Sequence, residues 1–269
     1  MSTFWKIRPW LLVGLVALAC ASSLWAEEKP GANGVLIEPA GTRVEPPWGV
    51  RIVVAVLGLA AWYGTQYLIG VRRPMVSEEA AKAGRLLAEH DLLLKLSEPL
   101  NRFLNANPLW ANRLLVASSA VMDLLVSFVL VWSIFGPSFR PFIGLIILFG
   151  LRQICQALTA LPVPPGMIWR YPGFPSVFVT YGVTNDLFFS GHTAMAIYSA
   201  VELALLGSGW LLAVAVVIAI LEMITVLALR AHYTVDVFAG LVTALLVAAI
   251  AWQIGPACDA ALVHLFARS

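Results

Sequence analysis

Two short segments of the chain carry residue types able to do chemistry. One is Phe188-Phe189-Ser190-Gly191-His192-Thr193, and the other is Arg230-Ala231-His232-Tyr233-Thr234-Val235-Asp236. Each opens a long apolar run, where an ionisable side chain is costly and marks function by default. His232 and Asp236 are four apart, so on a helix they share one face, with Cβ atoms about 5–6 Å apart. The carboxylate can hold one imidazole nitrogen and turn the other outward as a nucleophile. His192 follows Ser190-Gly191 at an expected helix start, where unpaired N–H groups and the positive dipole end favour a phosphate. Gly191 lets a ligand approach the backbone. A second histidine beside that phosphate can protonate a leaving oxygen and later deprotonate an acceptor. Arg230, with Arg152 in an earlier apolar run, can neutralise non-bridging oxygens. A Ser-Gly-His tripeptide alone is common, and a histidine four residues from an aspartate is a routine helix contact. Both together, at matching ends of two apolar segments, point to phosphoryl chemistry that calls for no metal or cofactor.

The elements that must position these groups are membrane helices. Of 269 residues 60% are hydrophobic and 12% charged, against about 25% charged in soluble domains. Mean hydropathy is +0.86. The expected fold is therefore all-α, a polytopic helix bundle integral to a membrane. Net charge is +2, and no basic-aromatic patch suited to nucleic acid occurs. Cys20, Cys155 and Cys258 lack metal-type spacing. His90 and His264 stand alone and read as solvated or interfacial.

Along the chain, Lys6 and Arg8 precede an apolar run and then small residues near Cys20. Residues 1–26 thus read as a secretory signal peptide, or as an uncleaved extra helix. A bacterial inner membrane is the expected location. Residues 27–47 read as a polar linker, 48–256 as the catalytic bundle and 257–269 as a tail. Six core spans are expected, at 48–70, 113–135, 142–161, 187–206, 211–229 and 234–254, each near the roughly 20 residues a bilayer needs. Residues 71–112 mix leucines with charges and predict one or two amphipathic helices lying on the bilayer. Residues 162–186 hold Pro162, Pro164, Pro165, Pro172 and Pro175, which forbid a regular helix. They also hold Trp169, Tyr171, Phe174, Phe178 and Tyr181. Those rings form either an interfacial belt or a cage for a quaternary ammonium. Asp123, Arg152 and Glu222 fall mid-span and either neutralise one another or serve the site. Because 187–206 and 211–229 make an out-and-back hairpin, His192, His232 and the 162–186 segment share one face.

Three blocks resemble the type 2 phosphatidic acid phosphatase superfamily. They are Leu151-Arg152 with Thr159-Ala160-Leu161-Pro162-Val163-Pro164, Asp186 through Thr193, and Arg230 through Val237. The closer resemblance is to its sphingomyelin synthase-like branch, which includes plant phosphatidylcholine:diacylglycerol cholinephosphotransferases. It covers about residues 145–250. It implies that His232 is the nucleophile forming a phosphohistidine, Asp236 its orienting partner and His192 the acid/base. It implies substrate-binding positions at Asp186, Ser190, Gly191, Arg152, Arg230 and Tyr233. The phosphatases place Lys-x6-Arg-Pro in the first block, whereas here Arg152 precedes Leu161-Pro162. They also place Ser-Arg several residues before the last histidine, whereas Arg230 lies two before His232. These departures favour head-group transfer over hydrolysis.

The implied activity moves a phosphocholine-like group from a phospholipid donor to a lipid alcohol, diacylglycerol or ceramide. The alternatives are a lipid phosphate phosphatase using the same residues, and a non-enzymatic transporter or scaffold that would tolerate loss of both histidines. Sidedness divides two expectations. The site face carries Arg72, Arg73, Lys82, Arg85, Lys95, Arg102 and Arg170, against Lys29, Arg43, Arg140 and Arg268 opposite. The positive-inside rule puts that face in the cytoplasm, whereas the family's site faces away from it. A single cysteine in 162–186, with Cys20, Cys155 and Cys258 replaced, will react with an impermeant thiol reagent only from the site's side. Labelling of inverted but not right-side-out vesicles is the outcome expected from the charge count.

Overall fold

The computed structural model describes residues 46–71, 77–181 and 187–266. The expected signal peptide, nearly all of the 27–47 linker, and Asp186 lie outside the described residues. Among those described there are helices and no strands. In chain order the helices are α1 (Trp48–Gly70), α2 (Glu78–His90), α3 (Leu92–Leu96), α4 (Glu98–Ala106), α5 (Pro108–Phe135), α6 (Arg140–Leu158), α7 (Gly191–Ala204), α8 (Gly209–Ala228) and α9 (Thr234–Phe266).

Five described helices are long and apolar enough to cross a membrane, namely α1, α5, α6, α8 and α9. The chain is thus a polytopic helical membrane protein. The expected span at 187–206 is helical only over the 14 residues of α7. At 1.5 Å per residue that is about 21 Å, short of a hydrocarbon core of about 30 Å. Non-helical backbone at such depth is tolerated where protein surrounds it, and α7 is the most enclosed helix, packed against α5, α8 and α9. Its residues Gly191 to Ala196 are all buried. At the other end of the chain, the last helix continues through Pro256 to Phe266, so the described part of the expected tail is helical.

The amphipathic region forms three helices rather than one or two. Ser77 caps α2 by accepting from the Ala80 N–H at 3.0 Å, with Glu78 and Glu79 in the first turn where the dipole favours them. Asp91 stops α2 and caps α3, accepting from the Leu94 N–H at 3.0 Å. Their inner side buries Ala80, Gly84, Ala88, Leu94, Asn101 and Leu104, while Leu86, Leu92, Leu96 and Leu100 stay exposed. The buried side packs on the ends of α8 and α9.

The end of the bundle away from the histidines is closed by ion pairing and helix-end capping. Arg140 grips Glu202 with two hydrogen bonds, at 2.8 and 2.7 Å. Asp259 accepts from Ser138 Oγ at 2.7 Å and from the Phe139 N–H at 3.1 Å. Buried Arg51 donates to the Gly136 carbonyl at 2.6 Å, tying α1 to the end of α5.

At the opposite end α2–α4 supply hydrogen bonds to interrupted backbone. Asn101 Nδ2 donates to the carbonyls of Gly166 at 3.0 Å and Ala228 at 2.8 Å. Asp91 Oδ2 accepts from the Thr234 N–H at 2.7 Å, and Thr234 Oγ1 donates to Asp91 Oδ1. Asn101→Leu would take the side-chain donor from the buried Ala228 carbonyl, at about 1–3 kcal/mol for an unsatisfied group, while the exposed Gly166 carbonyl keeps Asn105 Nδ2 at 3.3 Å. Thermal unfolding in detergent is expected to show a lower midpoint for Asn101→Leu, with Asn105→Leu at the exposed neighbouring position close to wild type.

Candidate active site

Both histidines arrive at the same end of the bundle, as the hairpin predicts. His192 is the second residue of α7, and His232 lies in the five-residue break between α8 and α9. They line one cavity of about 40 Å³ together with Arg152 and Gly191. That is room for roughly three waters at 10–15 Å³ each. His192 is 6% exposed and His232 7%. His192 Nε2 is buried with no hydrogen-bond partner among the described residues, as is His232 Nδ1. Among the described residues the lining holds no carboxylate.

Asp236 sits behind His232, fully buried, with Oδ2 3.8 Å from His232 Nδ1. That is an electrostatic contact rather than a hydrogen bond. Oδ2 instead accepts from the Tyr233 N–H at 2.9 Å, so the carboxylate also shapes the turn that carries His232. The Asp236 carbonyl accepts from the Ser190 N–H at 3.1 Å, tying the start of α9 to the start of α7. Gly240 makes that approach possible, since a Cβ there would lie 2.7 Å from the Ser190 carbonyl.

Arg152 reaches the cavity from the last turns of α6. Its Nε donates to the Phe189 carbonyl at 3.1 Å, just before the Ser-Gly-His corner. Gly191 has a specific reason to be glycine, because a Cβ would stand 2.9 Å from Arg152 Nε. The residue thus admits a guanidinium beside the histidine.

Three other expected substrate contacts are placed elsewhere. Ser190 is fully buried and caps α7: its Oγ accepts from the Thr193 N–H at 3.3 Å and from Thr193 Oγ1 at 3.0 Å. Tyr233 is buried, and its hydroxyl donates to the Pro162 carbonyl at 3.0 Å, away from the histidine cavity. Burial, with Asp236 nearby, pushes that phenol up to about 12, so it stays a donor. Arg230 lines a separate cavity and donates to the Leu94 carbonyl at 2.9 Å.

The rings of the aromatic segment separate by position. Trp169 and Phe178 line the cavity, Trp169 meeting His192 edge-on at 5.2 Å. Tyr181 is buried and hydrogen-bonded to Ser119. Tyr171 is exposed and Phe174 half-buried. Trp62 of α1 and Phe149 of α6 complete the aromatic wall. Nothing in the local sequence distinguishes those two from lipid-facing rings.

Asp123, Arg152 and Glu222 form no ion-paired cluster among the described residues. Glu222 accepts from Ser118 Oγ at 2.6 Å. Asp123 clamps the aromatic segment: it accepts from Ser176 Oγ at 2.7 Å and from the N–H groups of Val177 and Phe178, each at 3.0 Å. Tyr63 holds the same segment by donating to the Val177 carbonyl at 2.5 Å. A mid-span carboxylate thus pairs backbone that proline-rich sequence leaves unpaired. His90 and His264 are exposed, and Cys155 and Cys258 are free thiols.

A family model described as AtPDCT1/2 matches residues 90–253. The chain belongs to that family. The match runs from the end of α2 through most of α9, so it takes in α3 and α4 as well as both histidines. A curated relative, phosphatidylcholine:diacylglycerol cholinephosphotransferase 1 of Arabidopsis thaliana, is 28% identical over 151 residues. The aligned part is 56% of this chain and 48% of the relative, so the chain spans about half the length of the curated relative it matches. No solved structure matches.

Gly191→Ala tests the guanidinium–glycine contact. Displacing Arg152 by about 1 Å is expected to cost about a hundredfold in kcat/KM, given how steeply rate depends on placement. Thermal stability should change little. Gly150→Ala, with nothing within 4 Å of the added carbon, is the control expected to match wild type.

Proposed function

We propose that this protein transfers a phosphoalcohol head group between lipids. One observation carries the proposal: two histidines and an arginine converge on a small cavity walled by four aromatic side chains. Cationic donors suit the phosphoryl oxygens. Trp62, Phe149, Trp169 and Phe178 suit a quaternary ammonium, which aromatic faces attract. The relative's name, with phosphatidylcholine as donor and diacylglycerol as acceptor, agrees with that chemistry. Ceramide is a second acceptor of the same kind, a lipid hydroxyl. The catalytic unit proposed is residues 48–256, with α2–α4 as its insert.

In the first step, His232 Nε2 attacks phosphorus while Asp236 stabilises the charge that develops on the ring. A P–N bond forms, the P–O bond to the donor's glycerol breaks, and His192, charged only while the phosphate anion lies beside it, gives its proton to the departing oxygen. The product is a phosphohistidine carrying the alcohol, with diacylglycerol released. In the second step, the acceptor hydroxyl attacks phosphorus, His192 takes the hydroxyl proton, and the P–N bond breaks. Both histidines return to their starting states, and no net proton is consumed. Arg152, beside Gly191, neutralises non-bridging oxygens in both steps. The enclosing aromatic wall limits water, which is what favours a lipid hydroxyl as acceptor.

Purified protein reconstituted with phospholipid labelled in its head group, plus diacylglycerol or ceramide, is expected to move label between lipids. Release of free phosphoalcohol or phosphate without transfer would identify a hydrolase instead. His232→Ala is expected to abolish transfer and the acid-labile protein-bound label. His192→Ala is expected to lower the rate by about 10²–10⁴-fold, the usual contribution of a positioned acid/base. Full activity in both variants would leave the transporter or scaffold alternative standing.

A further inference from the structure

Arg230 lies two residues before His232 yet faces a different space. Its cavity, of about 370 Å³, opens between α2–α4 and the Pro165-Gly166 turn. The charged lining is Arg85, Lys95, Arg102 and Arg230 against Glu89 and Glu98. Glu98 is already engaged by Arg102, at 3.0 and 2.5 Å. Glu98 and Asp91 also act on Arg230, yet the lining itself sets four cations against two carboxylates, leaving a basin of positive charge.

Within this basin Arg230 is unusual. It is 6% exposed, one terminal nitrogen donates to the Leu94 carbonyl, and its buried Nε has no hydrogen-bond partner among the described residues. A buried charged donor left unpaired is costly. Its backbone is left-handed, at φ 55°, a conformation that side-chain-bearing residues adopt sparingly. The turn thus accepts backbone strain to aim a guanidinium at a cavity on the far side from the catalytic histidines. The helices that form the cavity also carry exposed leucines, Leu86 in α2 and Leu96 in α3, at 57% and 68%.

We propose that this cavity binds the phosphate of an anionic lipid, drawn by the positive charge of Arg85, Lys95 and Arg230, with the acyl chains lying along the exposed leucines of α2 and α3. Three cationic donors suit a phosphate's several oxygens better than a carboxylate's two. The excess of positive charge selects an anionic lipid over a zwitterionic one, and the exposed leucines of these amphipathic helices favour a lipid over soluble phosphate. The wall between this site and the catalytic cavity is the pairing of two backbone segments, in which the Ile168 N–H donates to the Leu229 carbonyl at 2.8 Å. A lipid held here would rest against the turn that presents His232. This assignment stands whether or not the transfer activity is correct, since it concerns binding alone.

The test uses full-length protein in zwitterionic nanodiscs, with binding of phosphatidic acid followed by native mass spectrometry and of inorganic phosphate by calorimetry. Arg85→Gln with Lys95→Gln changes two exposed side chains and should leave folding intact. It is expected to weaken phosphatidic acid binding by about tenfold or more, the scale of a lost charge-assisted contact. Glu89→Gln is expected to tighten it. His192→Ala with His232→Ala is expected to leave it unchanged. Equal binding by wild type and the Arg85/Lys95 variant would overturn the proposal, as would loss of binding in the histidine variant, which would place the anion in the catalytic cavity. Inorganic phosphate binding as tightly as phosphatidic acid would overturn the lipid assignment in favour of free phosphate.

Discussion

Everything at the functional end of this molecule depends on pairing backbone that helices do not pair. Within a bilayer an unsatisfied N–H or carbonyl costs several kcal/mol, so irregular chain survives there only when protein surrounds and satisfies it. Two irregular stretches meet at the site, the proline-rich segment after α6 and the break between α8 and α9. Asp123 takes the N–H groups of Val177 and Phe178. Asn101 donates to the carbonyls of Gly166 and Ala228. Asp91 caps α3 and the first turn of α9. The amphipathic helices thus act as a hydrogen-bonding frame for the turn that bears His232, beyond merely covering the bundle.

That frame explains the shape of the catalytic cavity. With α7 starting late, its first turn is enclosed by protein, and the Ser190 cap, the Gly191 gap and His192 occupy successive positions. The three residues divide the work between them. Ser190 ends the irregular chain, Gly191 makes room for Arg152, and His192 meets the cavity. The aromatic wall comes from α1, α6 and the loop together. Charge is divided in the same way among the described residues, Asp236 standing behind His232 while Asp91 and Asp123 pair backbone.

One short turn serves two spaces. Arg230 faces the basin under α2–α4 while Ala231 and His232 face the catalytic cavity. On regular extended backbone residues two apart would share a side, so Arg230 and His232 diverge only because the turn between α8 and α9 breaks that alternation. The left-handed φ at Arg230 enforces this divergence.

Much of the placement was legible in the sequence. Hydropathy marked the spans, because a bilayer admits only long apolar helices. The prolines after Leu161 marked the irregular segment, and the hairpin count placed His192 and His232 at one end, because a short connection leaves no other course. Spacing placed Asp236 behind His232, though at 3.8 Å rather than within hydrogen-bonding distance. Side-chain direction was not legible. Arg152 and Arg230 were equal candidates by type, yet one enters the cavity and the other turns away. Ser190 and Tyr233 lie within the motifs, yet their hydroxyls are taken up by a helix cap and a loop carbonyl. Trp62, Phe149, Asp91, Asn101 and Asp123 sit among many similar residues, and only packing between distant segments selects them. Local sequence by itself determined which groups could do chemistry and at which end of the bundle they lie. Tertiary structure alone decided which of them face one another, because partners separated by dozens of residues must satisfy every buried polar group at once.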